Sequence, residues 1–220
     1  MKNLFIMATF AVIAIAGPRI SRAQVGTGWT EVHPASHIQV EAHDKIKQFP
    51  GDSRTAINDG GSYSNSDGVE TFEIKNRTAN RVERRYLNDY RSGTRQFQAD
   101  VTIFEPSDME SIHQIFHGTH GGPWLIVRQL SERGGSVRMG GETHSDIFAT
   151  GLYGKAFRLN SVHDADKGEV WIYINGSLMW KGKSPDGYFY TKYGCYGTAA
   201  GASAKIEFRD VKMFEGGRPK

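Results

Sequence analysis

Past residue 23, apolar side chains recur at every second position over short runs, and clusters of Gly, Asn, Asp and Ser separate the runs. Period-two alternation marks half-buried β-strands, and nowhere in this part of the chain do apolar residues at helical spacing continue beyond a turn or two. The pattern predicts strands at Gly68–Lys75, Asn80–Asn88, Thr94–Phe104, Glu110–His117, Trp124–Leu130, Ser136–Met139, Ala156–Ser161, Glu169–Ile174, Leu178–Lys181, Tyr188–Tyr196 and Ala204–Phe214. The plainest case runs from Val170 to Trp180, two strands joined at Asn175-Gly176, a dipeptide that supplies the positive φ of a tight hairpin turn. Gln24 to Asp67 is more polar and irregular, and a short helix is expected around Val40–Gln48. Many strands without intervening helices imply an all-β chain of two packed sheets, a sandwich or β-jelly roll. No repeat or linker divides residues 24–220, which are expected to form a single domain.

The first 23 residues read differently. Lys2 precedes an apolar run from Leu4 to Ala16 and a polar stretch ending Ser21-Arg22-Ala23, the form of a secretory signal peptide cleaved after Ala23. The run is too short to span a bilayer, so the expectation is a secreted, extracellular protein that does not act at a membrane. Removing it takes away Lys2, Arg19 and Arg22 and no acid, which balances totals of 27 basic and 24 acidic residues. The apparent basicity therefore gives no reason to expect a nucleic-acid partner. Cys195 is the only cysteine and cannot form an intramolecular disulfide, so the core alone must hold the domain, which is expected to be a monomer. Asn76-Arg77-Thr78 and Asn175-Gly176-Ser177 are sequons, usable in a eukaryotic host.

Three strands carry more chemistry than a structural sandwich needs. In Arg81-Val82-Glu83-Arg84-Arg85, the side chains of Arg81, Glu83 and Arg85 share a face, and guanidiniums oriented by a carboxylate make a receptor for carboxylates; the alternative is a salt-bridged edge strand. Ser111 to His120 holds His113, His117 and His120 at H-x3-H-x2-H spacing, but a strand running into a glycine-rich loop does not fix them as a helix would, and no metal is expected. A proton-carrying His, or Gln114 as a donor to an anion, is the preferred reading. The third stretch is Tyr190-Thr-Lys-Tyr-Gly-Cys-Tyr-Gly-Thr198. Alternation puts Tyr188, Tyr190, Lys192, Gly194, Tyr196 and Thr198 on one face and Phe189, Thr191, Tyr193, Cys195 and Gly197 on the other, which is apolar enough to be core. The glycine suits a place where a ligand nears the backbone, and neighbouring cations would lower a tyrosine pKa towards proton-transfer use. Serine-nucleophile and phosphate-loop patterns are missing, while a pair of facing carboxylates is not readable from sequence.

Together these three stretches resemble the alginate-lyase-type polysaccharide lyases of family seven and the related glucuronan lyases. That family carries R-x-E-L-R, Q-I-H or Q-V-H, and Y-x-K-x-G-x-Y-x-Q strands, in this order, on a concanavalin-like β-jelly roll. Here the motifs are Arg81-Val-Glu-Arg-Arg85, Gln114-Ile-Phe-His117 and Tyr190 to Thr198, covering most of the mature chain. Three departures stand out: Thr198 replaces Gln, Arg84 replaces an apolar residue, and Phe116 takes the place of the catalytic His.

The resemblance implies cofactor-free β-elimination on an acidic polysaccharide, alginate or glucuronan. Arg81 and Gln114 would neutralise the uronate carboxylate so that the C5 proton becomes acidic, and Tyr196 would protonate the leaving oxygen. Glu83, Arg85, His113, Tyr190 and Lys192 would bind substrate. The separate base would be His117 returned to this face by a one-residue bulge, or His113; without either, Tyr196 must be base and acid together. A non-catalytic carbohydrate-binding sandwich and a glycoside hydrolase are the alternatives.

Overall fold

The computed structural model describes residues 25–76, 78–119, 121–140, 147–197 and 203–220, and the expected signal peptide lies outside them. Among the described residues, seventeen strands build two antiparallel sheets. They are β1 (Thr30–Val32), β2 (Ser36–Ala42), β3 (Lys45–Pro50), β4 (Thr55–Asn58), β5 (Gly61–Ser66), β6 (Val69–Ile74), β7 (Arg81–Tyr86), β8 (Thr94–Phe104) and β9 (Ser111–His117). After these come β10 (Gly122–Leu130), β11 (Ser136–Gly140), β12 (Ile147–Ala149), β13 (Phe157–Asp164), β14 (Glu169–Ile174), β15 (Ser177–Lys183), β16 (Phe189–Tyr196) and β17 (Ala204–Glu215). One sheet has the order β15-β14-β13-β8-β17-β6-β5-β4, with β1 also paired to β17; the other has the order β12-β11-β10-β9-β16-β7-β2-β3. All eleven strands read from the pattern are present, with ends displaced by a residue or a few. The Asn175-Gly176 hairpin forms as expected, both residues having positive φ between paired Ile174 and Ser177.

The helix expected at Val40–Gln48 is instead the β2–β3 hairpin. Ile38, Val40 and Ala42 are buried at every second position, and His43 and Asp44 both take positive φ, the geometry of a two-residue type I′ turn. The irregular stretch before Asp67 also supplies β4 and β5, with Asp59-Gly60 and Asp67-Gly68 at the turns.

The two sheets bury one apolar layer between them. Phe72, Phe208, Tyr193 and Phe97 meet through tilted and edge-on ring contacts at centroid separations of 4.9–5.5 Å. Arg84, the departure at an apolar position, points into this layer and uses all five guanidinium hydrogens. Nε and one terminal nitrogen donate to Glu70 Oε2 at 3.0 and 2.8 Å. The remaining donations go to Tyr63 Oη, Ser36 Oγ and the Gly51 carbonyl, each at 2.7 Å. Glu70 Oε1 in turn accepts from the Tyr193 hydroxyl at 2.8 Å. The charge is tolerated inside because no donor is left without an acceptor.

Two of the three buried imidazoles among the described residues have their pKa shifted by this interior. His113 stacks on Phe97 at 4.4 Å and its Nε2 is 2.7 Å from Ser161 Oγ, while His163 lies between the Tyr90 hydroxyl at 2.7 Å and Ser184 Oγ at 2.9 Å. Burial pulls His113 down to about 3 and His163 down to about 4. Both values lie below the unfolded value near 6.5, so the unfolded chain binds the extra protons. Their contribution to stability is complete above about pH 6.5 and is lost as pH falls. Urea unfolding at pH 5 should show about 2 kcal/mol less stability per histidine than at pH 7, and replacing His113 with Gln should flatten this dependence.

Candidate active site

The outward face of the eight-stranded sheet is set by which residues its central strands bury. On β7, Val82 and Tyr86 belong to the core; on β16, so do Phe189, Tyr193 and Cys195. Their alternates therefore point outward: Arg81, Glu83 and Arg85 from β7, and Tyr190, Lys192 and Tyr196 from β16. Pairing aligns Tyr196 with Arg81, Gly194 with Glu83 and Lys192 with Arg85, and on the other side Lys192 with Gln114 and Tyr190 with Phe116. The three motifs thus meet on adjacent strands, and β7 is an interior strand, not the edge strand of the alternative reading.

Glu83 is the hub beneath this face. Its Oε1 accepts a short hydrogen bond from Gln114 Nε2, and its Oε2 lies 3.3 Å from Lys192 Nζ and 3.5 Å from Arg81 Nε. Glu83, Gln114 and Lys192 are all buried. Burial pushes the Glu83 carboxyl up, against the pull of Lys192 and Arg81, and pushes the Lys192 ammonium down, against the pull of Glu83. Glu83 and Lys192 are thus ion-paired at the floor of the site beside Gln114, where the sequence pattern predicts substrate contacts. A carboxylate held by three partners has no role in attracting another carboxylate.

Arg81, Tyr196, Arg85, Tyr190 and Phe116 form the half-exposed layer above them. The Arg81 guanidinium lies 4.4 Å from the Tyr196 ring centroid, with its Nε 3.2 Å from Glu41 Oε2. Its two terminal nitrogens make no hydrogen bond among the described residues, so the fork of donors is open. Arg85 covers Tyr190 at 4.0 Å and is held by both oxygens of Asp89 at 2.9 and 3.0 Å. Tyr190 stacks on Phe116 at 4.8 Å. Burial raises the Tyr190 phenol despite Arg85, opposite to the lowering expected from nearby cations.

Both histidine candidates are on the wrong side. The β9–β16 register is unbroken from His113 to His117, so His117 faces inward beside Phe189, with Nε2 2.9 Å from the Asp186 carbonyl. The bulges next to it fall elsewhere, at Trp124 on β10 and at Ile112 on β9. His113 is enclosed between the sheets and cannot contact a ligand on the outer face. Phe116 occupies the position opposite Tyr190 where the motif has its imidazole. His120 and Thr198 lie outside the described residues, and among the described residues no group of three His, Cys, Asp or Glu side chains is placed to hold a metal ion.

Gly194 answers a different need from the one expected. A Cβ there would come within 2.4 Å of the Val82 carbonyl oxygen and 2.9 Å of Glu83 Cα, so the glycine lets β7, and not a ligand, approach closely. Arg128 was missed by the sequence reading; it lies near Tyr196 and donates to the Met109 carbonyl at 2.8 Å. Only strand pairing could have brought it to this face. A separate cavity of about 480 Å³ opens beside Arg84, His33 and Lys212, but the saturated Arg84 has no donor left for a ligand there.

No family model matches the chain. It is similar to solved alginate lyases: one in complex with dimannuronate (TM-score 0.65, 14% identity, 83% of this chain and 90% of that one) and one from Pseudomonas aeruginosa (0.63, 14%, 81% and 97%). A third is the marine family 7 alginate lyase from Zobellia galactanivorans (0.62, 16%, 83% and 95%). The fold is therefore the concanavalin-like sandwich of the family 7 polysaccharide lyases. In sequence, the chain is 28% identical over 171 residues to the citrate-binding protein of Hevea brasiliensis, covering 72% of this chain and 69% of that protein.

The hub gives a direct check on the site. Glu83→Ala leaves Lys192 buried without its partner and should cost about 3–5 kcal/mol, read as a lowered urea midpoint, whereas Arg85→Ala, at a half-exposed pair with Asp89, should cost about 1 kcal/mol.

Proposed function

We propose that the protein is an exported polysaccharide lyase that binds a uronate-containing polymer across the outer face of the eight-stranded sheet and cleaves it by β-elimination with Tyr196 as base and acid. The observation that carries this reading is the open guanidinium fork of Arg81 beside the Tyr196 ring, with Gln114 fixed by Glu83 two strands away. Arg81 and the remaining Gln114 N–H would hold the substrate carboxylate bidentately, stabilising charge that develops as the C5 proton leaves. The Tyr196 phenolate takes that proton, the C5–H electron pair becomes the C4=C5 double bond, and the C4–O4 bond breaks. The same proton then passes to O4.

One group can do both jobs only when the C5 hydrogen and O4 lie on the same side of the ring. Mannuronate and glucuronate meet this condition and guluronate does not. With Phe116 at the imidazole position and His117 turned inward, the described residues of this face offer no second base for the opposite geometry. A second reading, a non-catalytic receptor for carboxylates, is supported by the missing imidazole and by the similarity to a citrate-binding protein.

Ultraviolet absorbance of the unsaturated sugar end separates the two. The protein should generate it from mannuronate-rich alginate or glucuronan and not from guluronate blocks, and Tyr196→Phe should reduce the rate at least a hundredfold while leaving the circular dichroism spectrum and polymer binding intact. Polymer binding without any unsaturated product would select the receptor. Cleavage of guluronate blocks, or a wild-type rate in Tyr196→Phe, would sink the single-tyrosine mechanism.

A further inference from the structure

We propose that Arg128 and Arg138 form a second carboxylate subsite, which takes an acidic sugar of the same polymer further along the chain from the one held at Arg81 and Gln114. The proposal rests on the polyuronate reading above. Arg128 of β10 and Arg138 of β11 are direct partners across an antiparallel pair. Val127, Val137 and Met139 on either side of them belong to the core, so both guanidiniums stand on the same outer face as Arg81 and Tyr196.

Two like charges directly opposite on one sheet face destabilise the pairing unless something between them is negative. The protein anchors only one of the two. Arg128 donates to the Met109 carbonyl at 2.8 Å and to Ser111 Oγ at 3.2 Å, and the bulge at Ile112 is what brings Ser111 level with it. Glu110 offsets part of its charge. Arg138 has neither kind of support: its Nε is buried without a hydrogen-bond partner, and among the described residues no acid pairs with it. A buried guanidinium nitrogen with no acceptor among the described residues, facing a second guanidinium, marks a place suited to one anion.

Position decides which anion. Adjacent strands lie about 4.8 Å apart, so β11, four strands from β7, is ~19 Å from Arg81. That exceeds the reach of one pyranose ring or of a small tricarboxylate, and it suits a later carboxylate on a chain that crosses the strands. The intervening Arg128 continues the row, since its terminal nitrogen is 3.6 Å from where a Cβ on Gly197 would sit, next to Tyr196.

The test measures binding of mannuronate-rich alginate, glucuronan and citrate to the wild type, Arg138→Gln and Arg138→Lys by calorimetry at low and moderate salt, with thermal unfolding of each ligand-free protein. Arg138→Gln should weaken polymer binding about tenfold and reduce its salt dependence, Arg138→Lys should recover part of the loss, and the ligand-free Tm of Arg138→Gln should be unchanged or higher because a repulsion is relieved. A structural role predicts the reverse for stability, so a fall in Tm, or polymer affinity equal to wild type, overturns the subsite alone. A wild type that binds citrate but neither polymer, or none of the three, overturns the polyuronate reading and the subsite with it.

Discussion

The register of β16 between β7 and β9 is the constraint on which the rest depends. Because side chains alternate with a period of two, one choice of pairing sends Phe189, Tyr193 and Cys195 inward and Tyr190, Lys192 and Tyr196 outward; a slip of one residue would exchange the sets. The choice is locked from both sides. Inside, Tyr193 fits among Phe72, Phe97 and Phe208 and donates to Glu70. Outside, Lys192 meets Glu83, and at Gly194 the backbones approach so closely that only glycine is admitted.

Arg81 and Arg84, three positions apart, show how the two sides of one strand divide the work. Arg84 points inward and every hydrogen it owns is used, which makes it a fixed strut between the two sheets. Arg81 points outward, shares Glu41 and Glu83 through Nε alone, and the rest of its fork meets no acceptor among the described residues. The acids divide likewise: Glu70 serves the interior strut, and Glu83 orients Gln114 and Lys192 beneath the outer face. A buried carboxylate of this kind contributes precision of placement more than net stability, since desolvation takes back much of what the ion pairs provide.

Much of this was legible in the sequence because it depends on local period. The eleven strands, the Asn175-Gly176 turn and the separation of Tyr193 and Cys195 from Tyr190 and Tyr196 follow from alternation and turn chemistry. The β2–β3 hairpin was hidden because its turn places His43 and Asp44 in the left-handed region usually signalled by Asn-Gly. The side taken by His117 depends on where the bulges fall. They sit at Ile112 and Trp124, where β9 and β10 accommodate each other, and single-strand reading has no access to such a pairing. The burial of Glu83 and Lys192 was hidden for the same reason: each looks like a surface charge until β7, β9 and β16 are laid side by side.

Cys195 lies at the centre of this arrangement, fully enclosed, with Sγ 3.4 Å from the Phe72 carbonyl oxygen. Burial pushes the thiol far above its ordinary range, so neither oxidants nor alkylating reagents find a thiolate in the closed molecule. Being the chain's only sulfhydryl, it also has no partner for exchange within the protein. Its modification therefore requires β16 to separate from its neighbours, and the rate at which a thiol reagent labels the native protein is a clock for that opening, carried by the molecule without any added probe.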